Sequence, residues 1–249
     1  MPAVVVDALR KSFGDVRAVE DVGFIVAEGE VFGILGPNGA GKTTTVECVA
    51  GALAPDSGSI EVLGVDPHRS PRLVKERVGY QLQSSALPPA LRVGEAVDLF
   101  AAFYDSPVGT AEILKLVGLA DERRRPYGKL SGGQQQRLSI ALALVGSPKI
   151  VVFDELTTGL DPIGRRLVWD LVDRIRASGV TILLVTHYLD EVERLCDRVA
   201  VIDRGRTVFV GTPAQLRQPT EGGAEQPATL EDAYVRLLGS GRSGRKEES

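Results

Sequence analysis

Gly36-Pro37-Asn38-Gly39-Ala40-Gly41-Lys42-Thr43 fits the pattern GxxxxGK[ST] in full. An apolar run, Val31 to Leu35, precedes it and a helical pattern follows, the context in which such a segment cradles phosphate. The glycines let the backbone turn tightly and aim successive N–H groups at an anion, and a helix opening at Lys42 adds the positive end of its dipole. Lys42 is then suited to pair with the β- and γ-phosphates of a nucleotide and the Thr43 hydroxyl to ligate Mg²⁺, with Thr44 beside them. A second segment, Lys149 to Glu155, reads as a buried strand ending in two acids. Burying paired carboxylates costs free energy unless a cation or a polarised water lies against them. Asp154 is the candidate for a metal shell and Glu155 for the base that orients and deprotonates an attacking water, worth roughly 10²- to 10⁴-fold for a positioned base. Paired acids at a strand end also cap the next helix, and the phosphate loop upstream favours the metal reading.

A third segment, Leu130-Ser131-Gly132-Gly133-Gln134-Gln135-Gln136-Arg137, puts Ser131 at an N-cap position before a helical pattern that runs through Ala143. Such a start offers N–H groups and a hydroxyl to an anion but no lysine, so alone it holds phosphate weakly and serves more often as a plain cap. The three segments in this order are the pattern of one family. From about Val4 to Val210 the chain resembles the ATP-binding subunit of ABC transporters, and further positions match that family's stations.

That resemblance implies that Phe13, in Lys-Ser-Phe-Gly, stacks on adenine and that Gln83 reaches the metal and faces a membrane partner. It implies that Asp161, in Gly-Leu-Asp-Pro, lies in a loop signalling across a dimer. His187, after the strand pattern Thr181 to Val185, matches the histidine that contacts the γ-phosphate and keeps Glu155 and the water in line. In the family, Ser131, Gly132, Gly133 and Gln134 of one cassette close over the nucleotide held by Lys42 of a second. The implied cofactors are ATP and Mg²⁺. The implied partners are an identical or homologous second cassette and a separate transmembrane permease, on the cytoplasmic side of the membrane, with no nucleic acid. The implied activity is ATP hydrolysis driving export, and the Gln81-Leu82-Gln83 stretch with the tail helix from Thr229 resembles the branch that exports drugs, antibiotics or polysaccharides. A member of the family acting on DNA, the ribosome or cluster assembly is the alternative, although neither a coiled-coil insertion nor a second cassette is visible. A GTP-binding switch lacks its Asn-Lys-x-Asp motif. Two departures stand out. Leu156 follows the acids where proline is common, which gives the turn at Glu155 more freedom, and Gln81-Leu82 replaces an apolar-Pro pair.

The elements that must position these residues read as an α/β fold: short β-rich runs alternate with helical patterns, as in a mainly parallel sheet. Strands are expected at Val4 to Val6, Gly23 to Val26, Val31 to Leu35, Ile60 to Leu63, Val78 to Leu82, Ile150 to Phe153 and Thr181 to Val185, with a hairpin over Arg198 to Asp203 and Arg206 to Val210. Helical periodicity covers Leu91 to Tyr104, Thr110 to Val117, Gly133 to Val145, Pro162 to Ala177 and Leu230 to Leu238. The organisation expected is a P-loop NTPase core with an N-terminal antiparallel β subdomain over 1–83 and 146–217. A helical subdomain is inserted at 84–145, and 218–249 holds a linker, a short helix and a frayed tail. The 249 residues, with 43% hydrophobic and 25% charged, belong to a globular chain with a sizeable core. A net charge of −4 argues against a broad footprint on nucleic acid or anionic lipid. No signal sequence or membrane span is visible, and Cys48 and Cys196 stand apart, which predicts two buried thiols. His68 receives no role.

Overall fold

The computed structural model describes residues 1–81, 87–218 and 229–243, with side chains to Gly239. Strands β1 (Pro2–Phe13) and β2 (Val16–Ala27) form an antiparallel hairpin. Strand β3 (Val31–Leu35) enters the loop before α1 (Lys42–Val49), and β4 (Ser57–Val62) returns to pair with β1. Next come α2 (Pro71–Arg77), β5 (Val78–Tyr80), α3 (Val93–Ala101), α4 (Thr110–Leu116) and α5 (Gly132–Leu144). The remainder is β6 (Ile150–Asp154), α6 (Pro162–Ala177), β7 (Thr181–Thr186), α7 (Leu189–Leu195), β8 (Arg198–Asp203), β9 (Arg206–Gly211), α8 (Pro213–Leu216) and α9 (Leu230–Ser243). The strand order is β4-β1-β2-β9-β8-β3-β7-β6-β5, parallel from β8 to β5 and antiparallel at the β1–β2–β4 end and in the β8–β9 hairpin. This is the α/β class with the antiparallel N-terminal strands expected of the sequence.

Strands β3, β6 and β7 are buried at every residue, because helices cover both faces of a parallel sheet and leave no polar side. On one face Phe32, Ile34, Val152, Leu183 and Val185 pack with Val46 and Val49 of α1. On the other, Leu35, Val151, Phe153, Ile182 and Leu184 pack with Leu138 and Leu142 of α5 and Val168 and Leu171 of α6. Each of these fully buried side chains contributes roughly 1.5–3 kcal/mol relative to exposure. The helical segment is anchored in that second layer, since Val93, Val97, Ile113 and Leu114 belong to the same apolar cluster as Phe153. Residues that hold the helices therefore also hold the strand ending in Asp154.

The structure extends the sequence reading in several places. Helices α2 and α7 have seven residues each, too short for a secure period, and no expectation covered them. The strand expected to reach Leu82 is β5, ending at Tyr80, and Leu82 lies outside the described residues. The first helix expected in the insertion is trimmed to Val93–Ala101. Helix α9 continues through Gly239 to Ser243, beyond the expected stop at Leu238. Most of the expected linker, 219–228, lies outside the described residues. Cys48 and Cys196 are free, buried thiols, and burial pushes the Cys48 pKa up to about 11. Among the described residues, no helix is long and apolar enough to cross a membrane.

Candidate functional site

The parallel register decides what meets at the sheet edge. Leu35 pairs with Thr186, and Asp154 with Val185. The residues that follow β3, β6 and β7 therefore leave the carboxyl ends of adjacent strands, the place where open α/β sheets bind ligands. Those followers are the Gly36–Thr43 loop, Glu155 and His187.

The loop is pressed against its surroundings in a way only glycine permits. A Cβ on Gly36 would sit 2.2 Å from the Ile202 carbonyl oxygen. One on Gly41, whose φ is +99°, would sit 2.4 Å from that of Ala18. No side chain caps α1, which leaves its first-turn N–H groups available to an anion. Lys42 is 6% exposed, and its Nζ donates to the carbonyls of Gly36 and Pro37 at 2.9 and 3.0 Å. Burial lowers the Lys42 pKa, while Asp154 and Glu155 pull the other way. An ammonium held by two neutral carbonyls beside acids is poised to exchange those contacts for a phosphate.

Asp154 is 2% exposed, and the Thr43 hydroxyl donates to its Oδ2 at 3.1 Å. One hydroxyl and one carboxylate form a hard oxygen pair, suited to a hard divalent cation. Among the described residues, no group of three or more His, Cys, Asp or Glu is arranged to hold a metal. The donor set fits Mg²⁺.

Glu155 stands in the left-handed region at φ +53°. Its N–H donates to the Val185 carbonyl at 2.9 Å, and its own carbonyl accepts from the Thr158 N–H at 3.3 Å. Leu156 is fully buried. Burial of Leu156 and these two bonds restrain the turn where proline is common in the family. The His187 Nδ1 lies 3.5 Å from Glu155 Oε1, and each side chain is about one-third exposed, at 32% and 31%.

Ser131 caps α5: its hydroxyl accepts from the Gln134 N–H at 3.3 Å, and Gln134 Oε1 accepts from the Ser131 N–H at 2.9 Å. A Cβ on Gly132 or Gly133 would meet nothing within 4 Å, so this turn is bare. Asp161 caps α6 through the Gly164 N–H at 2.6 Å. Ser131, Gly132, Gly133, Gln134 and Asp161 line one hollow of about 360 Å³, and neither the Gly36–Thr44 segment nor Glu155 or His187 joins that lining. Phe13 is 51% exposed at the β1–β2 hairpin tip with Lys11 over its ring. The start of β2 runs past Gly41 at Ala18, so this tip flanks the phosphate loop. Gln83 lies outside the described residues.

Three buried residues near the site were not singled out from the sequence: Thr157, Thr186 and Glu191. Glu191 sits in an acid-rich stretch, Asp190-Glu191-Val192-Glu193, that reads as a solvated helix face, and only the fold turns it inward.

The profile of the family described as ABC transporter matches residues 19–158. A Nod factor export ATP-binding protein I of Ralstonia nicotianae is 39% identical over 220 residues, covering 86% of this chain and 68% of the relative. The daunorubicin resistance ATP-binding protein DrrA3 of Streptomyces coeruleorubidus is 40% identical over 225 residues, covering 88% and 71%. The solved ATP-binding subunit of an ABC transporter superposes with a TM-score of 0.82 at 28% identity, covering 95% of this chain and 99% of that one. A dimeric ATP-binding cassette bound to ADP and Pi gives 0.73 at 25% identity, covering 84% and 98%.

Proposed function

Because this chain belongs to the ABC transporter family as an ATP-binding cassette with ATPase activity, we propose that it powers export of drugs or antibiotics through a separate membrane permease. The observation that carries the hydrolytic half is the meeting of Lys42, the Thr43–Asp154 pair and the Glu155–His187 pair at one sheet edge. The export half rests on the relatives, named for Nod factor export and daunorubicin resistance.

In this reading Lys42 releases the Gly36 and Pro37 carbonyls and pairs with the β- and γ-phosphates of ATP, while residues Gly36 to Thr44 wrap the polyphosphate with backbone N–H groups. Thr43, Asp154 and Gln83 would hold Mg²⁺, which would offset the charge of the β- and γ-phosphates. Glu155 accepts a proton from the attacking water, and His187 keeps the Glu155 carboxylate and the γ-phosphate in line. Phe13 stacks on adenine. The bare turn at Ser131, Gly132 and Gly133, with Gln134 and Asp161 beside it, closes over the nucleotide of a second cassette, so that ATP favours a closed pair and its hydrolysis releases it. The open side of the Ser131 helix start supports that assignment, because among the described residues nothing lies within 4 Å of where a Cβ on Gly132 or Gly133 would stand.

The permease docks in the groove between core and helical segment, placing the cassette at the cytoplasmic face of the membrane. Tyr80, Phe100, Phe103 and Tyr104 line a groove of about 840 Å³ there, and Phe103 is 75% exposed. An exposed Phe103 beside the half-buried Tyr80, Phe100 and Tyr104, rimmed by Arg72, Lys75, Glu76 and Asp105, is suited to an amphipathic helix from a partner. The test is affinity purification of the tagged chain from native membranes, combined with Glu155→Gln. A multispanning protein recovered with the wild type, and a nucleotide-bound dimer accumulated by the variant, are the expected results. Recovery with ribosomes or nucleic acid instead would overturn the export reading, and normal turnover by Glu155→Gln would overturn the assignment of the base.

A further inference from the structure

Glu191 of α7 is fully buried, and no step above uses it. Its Oε1 accepts a hydrogen bond from the Thr157 hydroxyl. The Thr186 hydroxyl interacts with the same carboxyl, whose Oε2 is buried. Both threonines are themselves fully buried. Thr157 stands two residues after Glu155, in the loop that leads to Asp161, and Thr186 immediately precedes His187. The Thr186 Oγ1 also accepts from the Tyr188 N–H at 2.9 Å, which ties the backbone on both sides of His187 to this point. One carboxyl thus touches the two segments that carry Glu155 and His187.

A leucine would fill such a space without the desolvation cost of an acid, so packing alone does not call for glutamate here. Burial raises the Glu191 pKa above its ordinary value, and a glutamine in its place would offer the two hydroxyls both an acceptor and a donor. We propose that Glu191 is a positioning residue for hydrolysis: by gripping Thr157 and Thr186 it fixes Glu155 and His187 relative to one another and makes their two loops move together. The clamp rests on the reading of those two residues given above.

The experiment is steady-state ATP hydrolysis by the full chain with Mg²⁺, alongside equilibrium nucleotide binding. Glu191→Gln keeps the shape and both hydrogen-bonding roles, so its kcat stays within about two-fold of wild type, whereas Glu191→Ala lowers kcat about ten-fold with KM for ATP essentially unchanged. Thr157→Val and Thr186→Val each lower kcat about three- to ten-fold, and the double variant falls no further than the worse single one, because both act through one carboxyl. Normal kcat in Glu191→Ala, a Gln variant as impaired as the Ala variant, or fully additive threonine losses would overturn the clamp. If Glu191→Ala fails to fold, the threonine cycle alone decides. Normal turnover by Glu155→Gln would instead overturn the underlying assignment, and loss there with normal turnover by Glu191→Ala would overturn the clamp only.

Discussion

His187 Nδ1 and Glu155 Oε1 face each other across 3.5 Å at the ends of two strands that are hydrogen-bonded neighbours. The contact is a product of register: Asp154 pairs with Val185, so the residues one and two places further on emerge side by side. A carboxylate in that position is held against the imidazole while remaining one-third exposed, which suits it to the water-orienting role proposed for it. Removing the imidazole should therefore harm turnover more than binding. His187→Ala is expected to lower kcat by roughly 10²-fold with ATP affinity within a few-fold of wild type, as for the loss of a group acting mainly in the transition state. Single-turnover hydrolysis beside nucleotide titration checks this, and a parallel loss of affinity would place His187 in ground-state binding instead.

Lys42 predicts the opposite split. Its ammonium is already buried and held by the Gly36 and Pro37 carbonyls, so the loop has paid its desolvation before nucleotide arrives. Lys42→Ala should weaken ATP binding about ten- to a hundred-fold, the scale of one lost charge-assisted contact to phosphate. Calorimetric titration with ATP and Mg²⁺ reads it directly, and unchanged affinity would contradict the assignment.

How much of this was legible in the sequence depended on the kind of signal. Strands β3, β6 and β7 are unbroken apolar runs because both faces are covered, and the phosphate loop and the acid pair were readable at their ends. The closeness of Glu155 and His187 was not readable from spacing, since 32 residues separate them and only the β6–β7 register unites them. Glu191 was hidden for a different reason: its neighbours Asp190 and Glu193 are acidic, and a seven-residue helix gives too little period to tell an inward acid from an outward one. Leu156 suggested a loose turn because proline chemistry is local, whereas the restraint at that turn comes from tertiary burial and the Glu155 N–H bond to Val185.

Two glycines should respond to the same substitution in opposite ways. Gly36→Ala drives a methyl to 2.2 Å from the Ile202 carbonyl oxygen, which forces the loop and β8 apart, so a loss of about 1–3 kcal/mol in stability is expected together with weakened nucleotide binding. Gly133→Ala meets open space at the start of α5, so stability stays within about 0.5 kcal/mol and ATP affinity is retained. If the bare turn closes on a second cassette, Gly133→Ala still loses turnover and ATP-dependent dimerisation. Thermal unfolding with light scattering separates the cases, and normal dimerisation by Gly133→Ala would remove these glycines from the interface.

Glu191 also makes a prediction about stability and pH that needs no nucleotide. Burial raises its folded-state pKa above the ordinary 4.5, with the Thr157 and Thr186 hydroxyls opposing the shift, Asp190 adding to it and Arg165 opposing it. Above pH 4.5 the unfolded chain gives up this proton while the folded chain keeps it, so the folded state binds more protons and stability falls as pH rises through that window. Glu191→Gln carries no such proton and escapes the fall. The variant is therefore expected to unfold at a higher denaturant concentration than wild type at neutral pH, with the gap closing as the pH is lowered toward the ordinary carboxylate range. Denaturant midpoints measured across that range check both the sign and the slope, and a gap that widens on acidification would mean that Glu191 is held as a stabilised anion in the folded protein.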